Sequence, residues 1–156
     1  MEATTSAVEQ EAQSAKAQRA LERVCARGDF EAARELYSPN FVDHVNRLEF
    51  RGHEGILESV GLYRALFPDL RIEVDEQVSE GDLVTSRWTM HGTHRGRRVT
   101  LTGITISRFE EGKIAEDWTA SDNLDLLRQL GLRRALMLAL RYLARRLASG
   151  QSSGRG

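Results

Sequence analysis

The sequence predicts an α+β fold in which helices of the first half roof one face of a curved antiparallel sheet. Apolar residues recur at helical spacing as far as residue 67, and in the second half they alternate with polar residues in four successive segments. Short turns containing Gly separate these segments, and runs of helices followed by runs of strands are typical of α+β domains. A chain of 156 residues, 40% of them hydrophobic, fits one main core.

Three helices are predicted before the first long strand. Residues 6–26 are rich in strong helix formers, and Gly28 ends this stretch. Asp29 is placed to cap a short second helix, which ends at Pro39 and the residue before it. A short extended or irregular piece follows, and residues 52–67 then carry apolar side chains at helical spacing.

The sheet is predicted to be an antiparallel meander. Leu70, Ile72 and Val74 alternate with charged residues, which is the pattern of a half-buried strand. Three further segments follow, with a turn before each of them. The four predicted strands span residues 70–78, 83–94, 99–109 and 114–120.

Two more helices are predicted at the end of the chain. Gly131 is placed to end the first of them. The second is amphipathic and rich in Arg, so it either docks on its own domain or a subunit partner, or lies on a membrane surface or a partner protein. The predicted division is a globular domain over residues 1–131, this basic helix over 132–149 and a disordered tail over 150–156.

Composition argues against several partners and compartments. The formal net charge of −1 gives no general attraction to polyanions, and the chain has no aromatic RNA-binding motif or zinc spacing. No apolar run approaches the roughly 20 residues that span a bilayer. Cys25 is the only cysteine and the N-terminal residues do not resemble a signal peptide, so we expect a reducing, cytoplasmic location.

Motifs for the common cofactors and metals are also missing. The sequence contains no dinucleotide-binding glycine pattern, no P-loop and no nucleophile elbow. His91 and His94 lie three positions apart on a predicted strand, so they project to opposite faces unless Gly92 forms a bulge. We therefore expect neither a metal nor a cofactor.

Scattered acid-base side chains remain as candidates for chemistry. An apolar sheet face that carries a few polar groups near its ends, under a roof of helices, would form a pocket for a flat aromatic or steroid-like ligand. Candidates outside that alternation are His44, His91 and Asp117. The residues predicted to align in the pocket face are, strand by strand, Val84, Trp88, Met90 and His94; Ile104, Ile106 and Arg108; and Ile114, Glu116, Trp118, Ala120 and Asp122.

Each of these residues also has a purely structural interpretation. Trp88 and Trp118 fit a plain core as well as they fit a pocket wall. Arg108 could pair with a surface acid instead of a ligand. Asp122 precedes a predicted helix, where an Asp side chain commonly caps free backbone N–H groups.

A series of short motifs resembles, in order, those of the SnoaL-like polyketide cyclase family. They are "FVDHV", "GHEGI", "LFPDLRIEV", "EGDLVTSRWTMHGTHRG", "LTGITISRFEEGKIAEDWTASD" and "LLRQLG", and together they cover about residues 16–131. The resemblance implies the cone-shaped fold that the family shares with ketosteroid isomerase, scytalone dehydratase and nuclear transport factor. It also implies a homodimer or higher homo-oligomer formed through the sheet.

The resemblance further implies cofactor-free closure of a ring of an aromatic polyketide by an intramolecular aldol reaction, as in antibiotic biosynthesis. In the family an aspartate near the end of the last strand acts as general acid/base, which maps to Asp122, with Asp117 as the second choice. A pocket histidine assists, and His44 is its match. The predicted substrate is a hydrophobic polycyclic molecule, and the residues predicted to bind it are Phe41, Phe67, Trp88, His94, Ile104, Arg108 and Trp118.

Other functions on the same scaffold stay open at this point. An epoxide hydrolase would need two acids and an arginine around a water molecule, for which Asp43, Arg108 and Asp122 are available. A cofactor-independent hydroxylase and a noncatalytic small-molecule-binding protein are the remaining alternatives. Fold analogy alone does not choose among them.

Overall fold

The computed structural model describes residues 2–131, 136–137 and 140–142, with side chains from residue 7 onward. The chain forms two compact units that divide between Asp122 and Asn123. The predicted basic helix over 132–149 lies largely outside the described residues, and the predicted tail over 150–156 lies wholly outside them.

The first unit contains three α-helices. They are α1 (Glu2–Arg19), which continues as a π-helical segment (Ala20–Cys25), α2 (Phe30–Leu36) and α3 (Gly52–Leu66). Asp29 caps α2 as expected, because its Oδ1 accepts a hydrogen bond of 3.0 Å from the backbone N–H of Ala32. Helix α2 leads directly into the first strand, and Pro39 lies inside that strand.

A six-stranded sheet forms the rest of this unit. Its strands are β1 (Tyr37–Val45), β2 (Leu48–Arg51), β3 (Arg71–Glu80), β4 (Leu83–His94), β5 (Arg97–Glu110) and β6 (Lys113–Ser121), in the spatial order β2-β1-β6-β5-β4-β3. The predicted meander corresponds to β3–β6. Strand β1 pairs in parallel with β6, and all other neighbours are antiparallel.

One face of the sheet, called the inner face below, packs against the helices. The core cluster joins Ala17, Val24 and Ile56 of the helical elements to Val84 and Ile114 of the sheet. Burial of such apolar side chains is the main favourable term in folding, worth about 1.5–3 kcal/mol for a fully buried large side chain. The opposite, outer face carries the side chains that alternate with these residues.

A β-bulge in β6 decides which side chains reach the inner face. Arg108 lies opposite Glu116 but the next residue of β5 lies opposite Ile114, so Ala115 is an extra residue on β6. The predicted alignment of Ile114 with Glu116 and Trp118 is therefore wrong. Ile114 points into the core, whereas Glu116 and Trp118 lie on the outer face.

Strand β5 also presents its faces differently from the predicted pocket. Ile104, Ile106 and Arg108 do share one face, but it is the outer face, because Thr105 and Ser107 between them are buried. In β4 the prediction is confirmed: Trp88, Met90 and His94 are all buried on the inner face. The indole of Trp88 lies across Gly103, where an added Cβ would come within 2.3 Å of the ring.

The second unit begins with α4 (Asn123–Leu130). Gly131 follows it with φ of 84°, and its N–H donates to the carbonyl of Leu127 at 3.0 Å, which is the C-terminal glycine cap that the sequence predicts. Residues 136–137 and 140–142 are also helical.

Candidate active site

A small apolar cavity of about 80 Å³ lies between the inner face and the helices. Typical pockets for drug-sized ligands measure about 300–1,000 Å³. In this conformation a polycyclic molecule therefore places only one end in the cavity. Lining side chains that carry a polar or aromatic group are Cys25, Ser59, Tyr63, Trp88, Thr105 and Thr119.

The sheet side of the cavity carries a short hydrogen-bonded row. The indole Nε1–H of Trp88 donates to Oγ1 of Thr105 at 2.9 Å, and Oγ1 of Thr105 lies 2.9 Å from Oγ1 of Thr119. Because the indole has its partner within the protein, its ring can form an apolar wall without leaving a buried donor unsatisfied.

Two aspartates occupy the next inner-face positions, one step toward the core. On β6, Asp117 lies between the core residue Ile114 and the cavity residue Thr119. On β1, Asp43 is the register partner of Asp117. Neighbouring strands lie about 4.8 Å apart and register partners project to the same face, so the two carboxyl groups are side by side.

The surroundings of the two acids are apolar apart from hydroxyl groups. Ser59 Oγ donates to Oδ2 of Asp43 at 3.4 Å, and the hydroxyl of Ser107 donates to the carboxyl of Asp117. Asp117 is only 7% exposed, and its Oδ1 has no hydrogen-bond partner among the described residues. No Lys or Arg of residues 7–131 forms an ion pair with either acid.

Burial therefore controls the protonation of this pair. It raises the pKa of Asp43 to about 6, against the opposing effects of the Ser59 hydrogen bond and the charge of His44. Burial raises the pKa of Asp117 well above its ordinary value, and the neighbouring Asp43 raises it further. Asp43 is thus mostly ionised at neutral pH, and the charge that it then carries favours the protonated form of Asp117.

Two other ionisable groups near the pair stay neutral. Burial raises the pKa of the Cys25 thiol to about 12 and that of the Tyr37 hydroxyl well above its ordinary value. Their Sγ and Oη atoms lie 4.0 Å apart. Because the thiolate is the nucleophilic form of cysteine, Cys25 is not placed to act as a nucleophile.

The outer face carries a different constellation around Glu116. Its Oε1 lies 2.8 Å from Nε2 of His44, and its Oε2 accepts a hydrogen bond of 2.9 Å from Arg108. His44 also stacks on Trp118 with a centroid distance of 5.7 Å, and its Nδ1 lies 3.6 Å from Glu49. The hydrogen bonds that Glu116 accepts from Arg108, which has the larger effect, and from His44 lower its pKa.

The structure does not bring the predicted catalytic residues together in the cavity. His44 lies on the outer face, because the alternation along β1 turns Asp43 inward instead. Asp122 is exposed at the end of β6, where its backbone N–H donates to the carbonyl of Thr102 at 3.1 Å. The catalytic roles of both residues stay predictions.

The residues predicted to bind substrate also separate by position. Trp88 lines the cavity. Ile104, Arg108 and Trp118 lie on the outer face, so the expectation that they share the roofed pocket needs correction; the bulge at Ala115 accounts for Trp118. Buried away from the cavity lining are Phe41, Phe67 and His94.

His94 has a structural environment in this fold. Its Nδ1–H donates to the carbonyl of Leu66 at 2.9 Å, and its ring meets the edge of Phe67 at a centroid distance of 6.0 Å. His91 lies on the outer face, so the two histidines point to opposite faces as the sequence predicts. Within the described part of the chain, no group of three or more His, Cys, Asp or Glu side chains is placed to hold a metal ion.

The sequence indicates Asp43 only as part of an epoxide hydrolase, and Asp117 only as the second choice for the acid/base. A usable signal exists for Asp43, because it alternates with Phe41 and Val45, whose period of two places an acid on a buried face. The inward orientation of Asp117 depends on the bulge at Ala115, for which the sequence offers no signal that we recognise.

Comparison with known proteins gives one family and many structures. The family model described as SnoaL-like polyketide cyclase matches residues 15–130. None of the curated proteins matches the chain. Among the described residues, no helix is long and apolar enough to cross a bilayer.

Three crystal structures illustrate the similarity. A candidate polyketide cyclase from Bacillus cereus is 32% identical, with a TM-score of 0.70 over 78% of this chain and 81% of that one. IdmH, a candidate polyketide cyclase from Streptomyces antibioticus, is 34% identical, with a TM-score of 0.64 over 71% of this chain and 93% of its own. AclR, a candidate hydroxylase from Streptomyces galilaeus, is 26% identical, with a TM-score of 0.64 over 80% and 96% of the two chains.

Proposed function

This chain belongs to the SnoaL-like polyketide cyclase family, and we propose that it closes a carbon ring of a polyketide by a cofactor-free intramolecular aldol reaction. The observation that carries the proposal is the apolar cavity on the inner face, next to two carboxyl groups whose pKa values burial raises, that of Asp43 to about 6. Such groups suit general acid/base catalysis, which works best when the pKa lies near the working pH.

The reaction asks little of the protein beyond proton transfer and orientation. A base removes a proton from a carbon next to a carbonyl group, and the resulting enolate is delocalised by the carbonyl and aromatic system of the substrate itself. The enolate carbon attacks a second carbonyl group, whose oxygen then takes up a proton. Positioned acids and bases contribute rate factors of about 10²–10⁴ to such steps.

The family resemblance assigns the acid/base role to Asp122, with His44 assisting. On that assignment Asp122→Asn lowers the rate of ring closure by about 10²–10⁴, whereas Asp125→Asn, which changes an exposed acid three positions along the chain, has little effect. The assay follows conversion of an aromatic polyketide precursor to its ring-closed isomer by chromatography and mass spectrometry.

The outcomes of that assay distinguish a failure of the proposed function from a failure of the role given to Asp122. A wild-type protein that closes no ring in any aromatic polyketide precursor contradicts the proposed function. Full turnover by Asp122→Asn contradicts only the role of Asp122. A noncatalytic binding protein would bind the precursor without converting it, with affinity unchanged by the substitution.

A hydroxylase is the second candidate function, because AclR, with 26% identity, is named as a candidate hydroxylase. Its product would gain an oxygen atom, which mass spectrometry detects, whereas aldol closure leaves the mass unchanged. An epoxide hydrolase receives less support, since Asp43 faces the inner side of the sheet and Arg108 the outer side. Incorporation of ¹⁸O from labelled water would reveal it.

We propose that two copies of the chain associate through the outer face. Five large apolar side chains are exposed there: Val78 at 71%, Leu83 at 38%, Ile104 at 45%, Ile106 at 36% and Trp118 at 38%. Grouped exposed apolar side chains are typical of association surfaces.

The cytoplasm stays the expected compartment, because Cys25 is the only cysteine of the chain, and cell fractionation would check it.

A further inference from the structure

We propose that Asp43 and Asp117 are the proton-transferring pair of this site, with Asp43 as the base that removes the proton next to a carbonyl group and Asp117 as the acid that protonates the second carbonyl oxygen. The inference deepens the proposed function and rests on it for the identity of the reaction. It assigns the chemistry to the inner end of the cavity, whereas the resemblance assigns it to Asp122 and His44.

The position of the pair supports this assignment first. Both acids are one inner-face step from residues that line the cavity, since Val45 follows Asp43 by two positions on β1 and Thr119 follows Asp117 by two on β6. Ser59, which donates to Asp43, itself lines the cavity. A substrate end that enters the cavity therefore approaches both carboxyl groups.

The unsatisfied oxygen of Asp117 is the second, independent observation. Its Oδ1 is buried and has no hydrogen-bond partner in the described part of the chain. A buried polar atom without a partner costs about 1–3 kcal/mol, and native proteins rarely keep one without a reason. A ligand oxygen bound between Asp117 and Asp43 would supply the missing partner.

The asymmetry of the pair matches the two roles. Asp43 is the less buried of the two, and its pKa of about 6 leaves it mostly a carboxylate at neutral pH. Asp117 is buried, and both burial and the charge of Asp43 raise its pKa, which favours its protonated form. Two titratable groups whose environments separate their pKa values are the usual arrangement of a base beside an acid. The titration belongs to the pair rather than to either residue alone.

Few other charges face the pair. Across the described packing elements, Cys25 of the π-helical segment, Tyr37 of β1 and Tyr63 of α3 are neutral at physiological pH, because burial raises the pKa of each. The charge of His44 also acts on Asp43 and lowers its pKa. In the absence of an ion-paired cation, the proton count of the pair itself sets its charge.

The proton steps balance without any further reactant. Asp43 takes the proton as the C–H bond breaks, and the electron pair forms the enolate. The enolate carbon forms the new C–C bond, the second carbonyl π-bond breaks, and its oxygen receives the proton of Asp117. Transfer of the proton from Asp43 to Asp117 then restores the starting state.

Isosteric variants test the assignment directly. We expect Asp43→Asn and Asp117→Asn each to lower kcat for ring closure by about 10²–10⁴, with melting temperatures at or above that of the wild type. Asp75→Asn is the matched control, because the Asp75 side chain lies on the outer face of β3, paired with Arg87 at 3.1 Å. A surface substitution away from the site should leave kcat within about twofold.

A fragment assay makes the test independent of ring closure. An aryl methyl ketone offers a single aromatic ring and one carbonyl group to the cavity, and exchange of its methyl protons for deuterium in D₂O reports the base step alone by NMR. We expect the wild type to catalyse this exchange and Asp117→Asn to catalyse it at a reduced rate. Asp43→Asn should not catalyse it.

The outcomes distinguish failure of the pair from failure of the proposed function. Ring closure that survives in Asp43→Asn and Asp117→Asn overturns the pair while the cyclase function stands. Catalysed exchange that depends on Asp43, in a protein that closes no ring, supports the pair and overturns the function. If the wild type catalyses neither exchange nor ring closure, both the pair and the proposed function are overturned.

Discussion

Glu116 and Asp117 are neighbours in the chain but belong to opposite faces of the sheet. Glu116, on the outer face, contacts Arg108 and His44, and hydrogen bonds from both lower its pKa. Asp117, on the inner face, has a serine hydroxyl and a second acid for neighbours, and burial raises its pKa. A carboxyl group is thus an ion-pair partner on the outer face, whereas on the inner face it is a buried group whose protonated form is favoured.

The comparison shows that a single extra residue in a strand can decide the chemistry of its neighbours. Without the bulge at Ala115, strict alternation from Ile114 would turn Glu116 inward and Asp117 outward. Bulges are over-represented next to active sites, where they re-aim a side chain. The two faces should therefore respond to pH and to substitution in opposite ways.

The largest expected contrast is in the pH dependence of the free energy of unfolding. Asp43 has an ordinary pKa of 3.8 and a folded pKa of about 6, so the unfolded chain loses its proton first as the pH rises. Stability contributed by the protonated form is thus full below pH 4 and declines between about pH 4 and 6, by at most about 3 kcal/mol. Asp117 adds a decline of the same sign, because burial and the charge of Asp43 raise its pKa above the ordinary value.

Glu116 behaves in the opposite sense. Its folded pKa is lowered below 4.5, so its contribution is present above that pH and is lost as the pH falls. Urea unfolding of the wild type, Asp117→Asn and Glu116→Gln between pH 3 and 8 measures both effects. Asp117→Asn should reduce the decline in the free energy of unfolding as the pH rises. Glu116→Gln should reduce its loss at acid pH. An unchanged slope in Asp117→Asn would contradict the account of the inner face.

A smaller effect is expected from the outer face as an association surface. Trp118→Lys should weaken a homodimer by about 2 kcal/mol, or roughly thirtyfold in the dissociation constant, because large aromatic side chains dominate interface energies. Leu57→Lys is the control, since Leu57 is 44% exposed on helix α3. Sedimentation equilibrium at micromolar concentrations measures the difference. A wild type that stays monomeric throughout this range would contradict the proposed dimer.

Local patterns predicted much of the fold. The capping of α2 by Asp29, the end of α4 at Gly131 and the four strands of the meander depend on neighbouring residues, whose spacing is visible in the sequence. Strands β1 and β2 were expected only as a short extended or irregular piece. Strand β1 is stabilised by parallel pairing with β6, more than 70 residues away, and no local pattern reports such a contact.

The site was less predictable than the fold for the same reason. Trp88 was placed in the cavity because the alternation of β4 is regular. Regular alternation along β6 predicts an inward Trp118, which is wrong because the bulge at Ala115 shifts the alternation by one residue. The pairing of Asp43 with Asp117 combines a bulge with a non-local parallel register, so neither acid alone marks the pair in the sequence.

The most direct test of the central claim is a ¹³C NMR titration of the side-chain carboxyl groups of Asp and Glu, with the resonances assigned from Asp43→Asn, Asp117→Asn and Glu116→Gln. The account predicts that Asp117 titrates well above its ordinary range, that Asp43 titrates near pH 6, and that Glu116 titrates below its ordinary range. Titration of Asp43 and Asp117 together near pH 4, like exposed acids, would contradict the buried proton-holding pair.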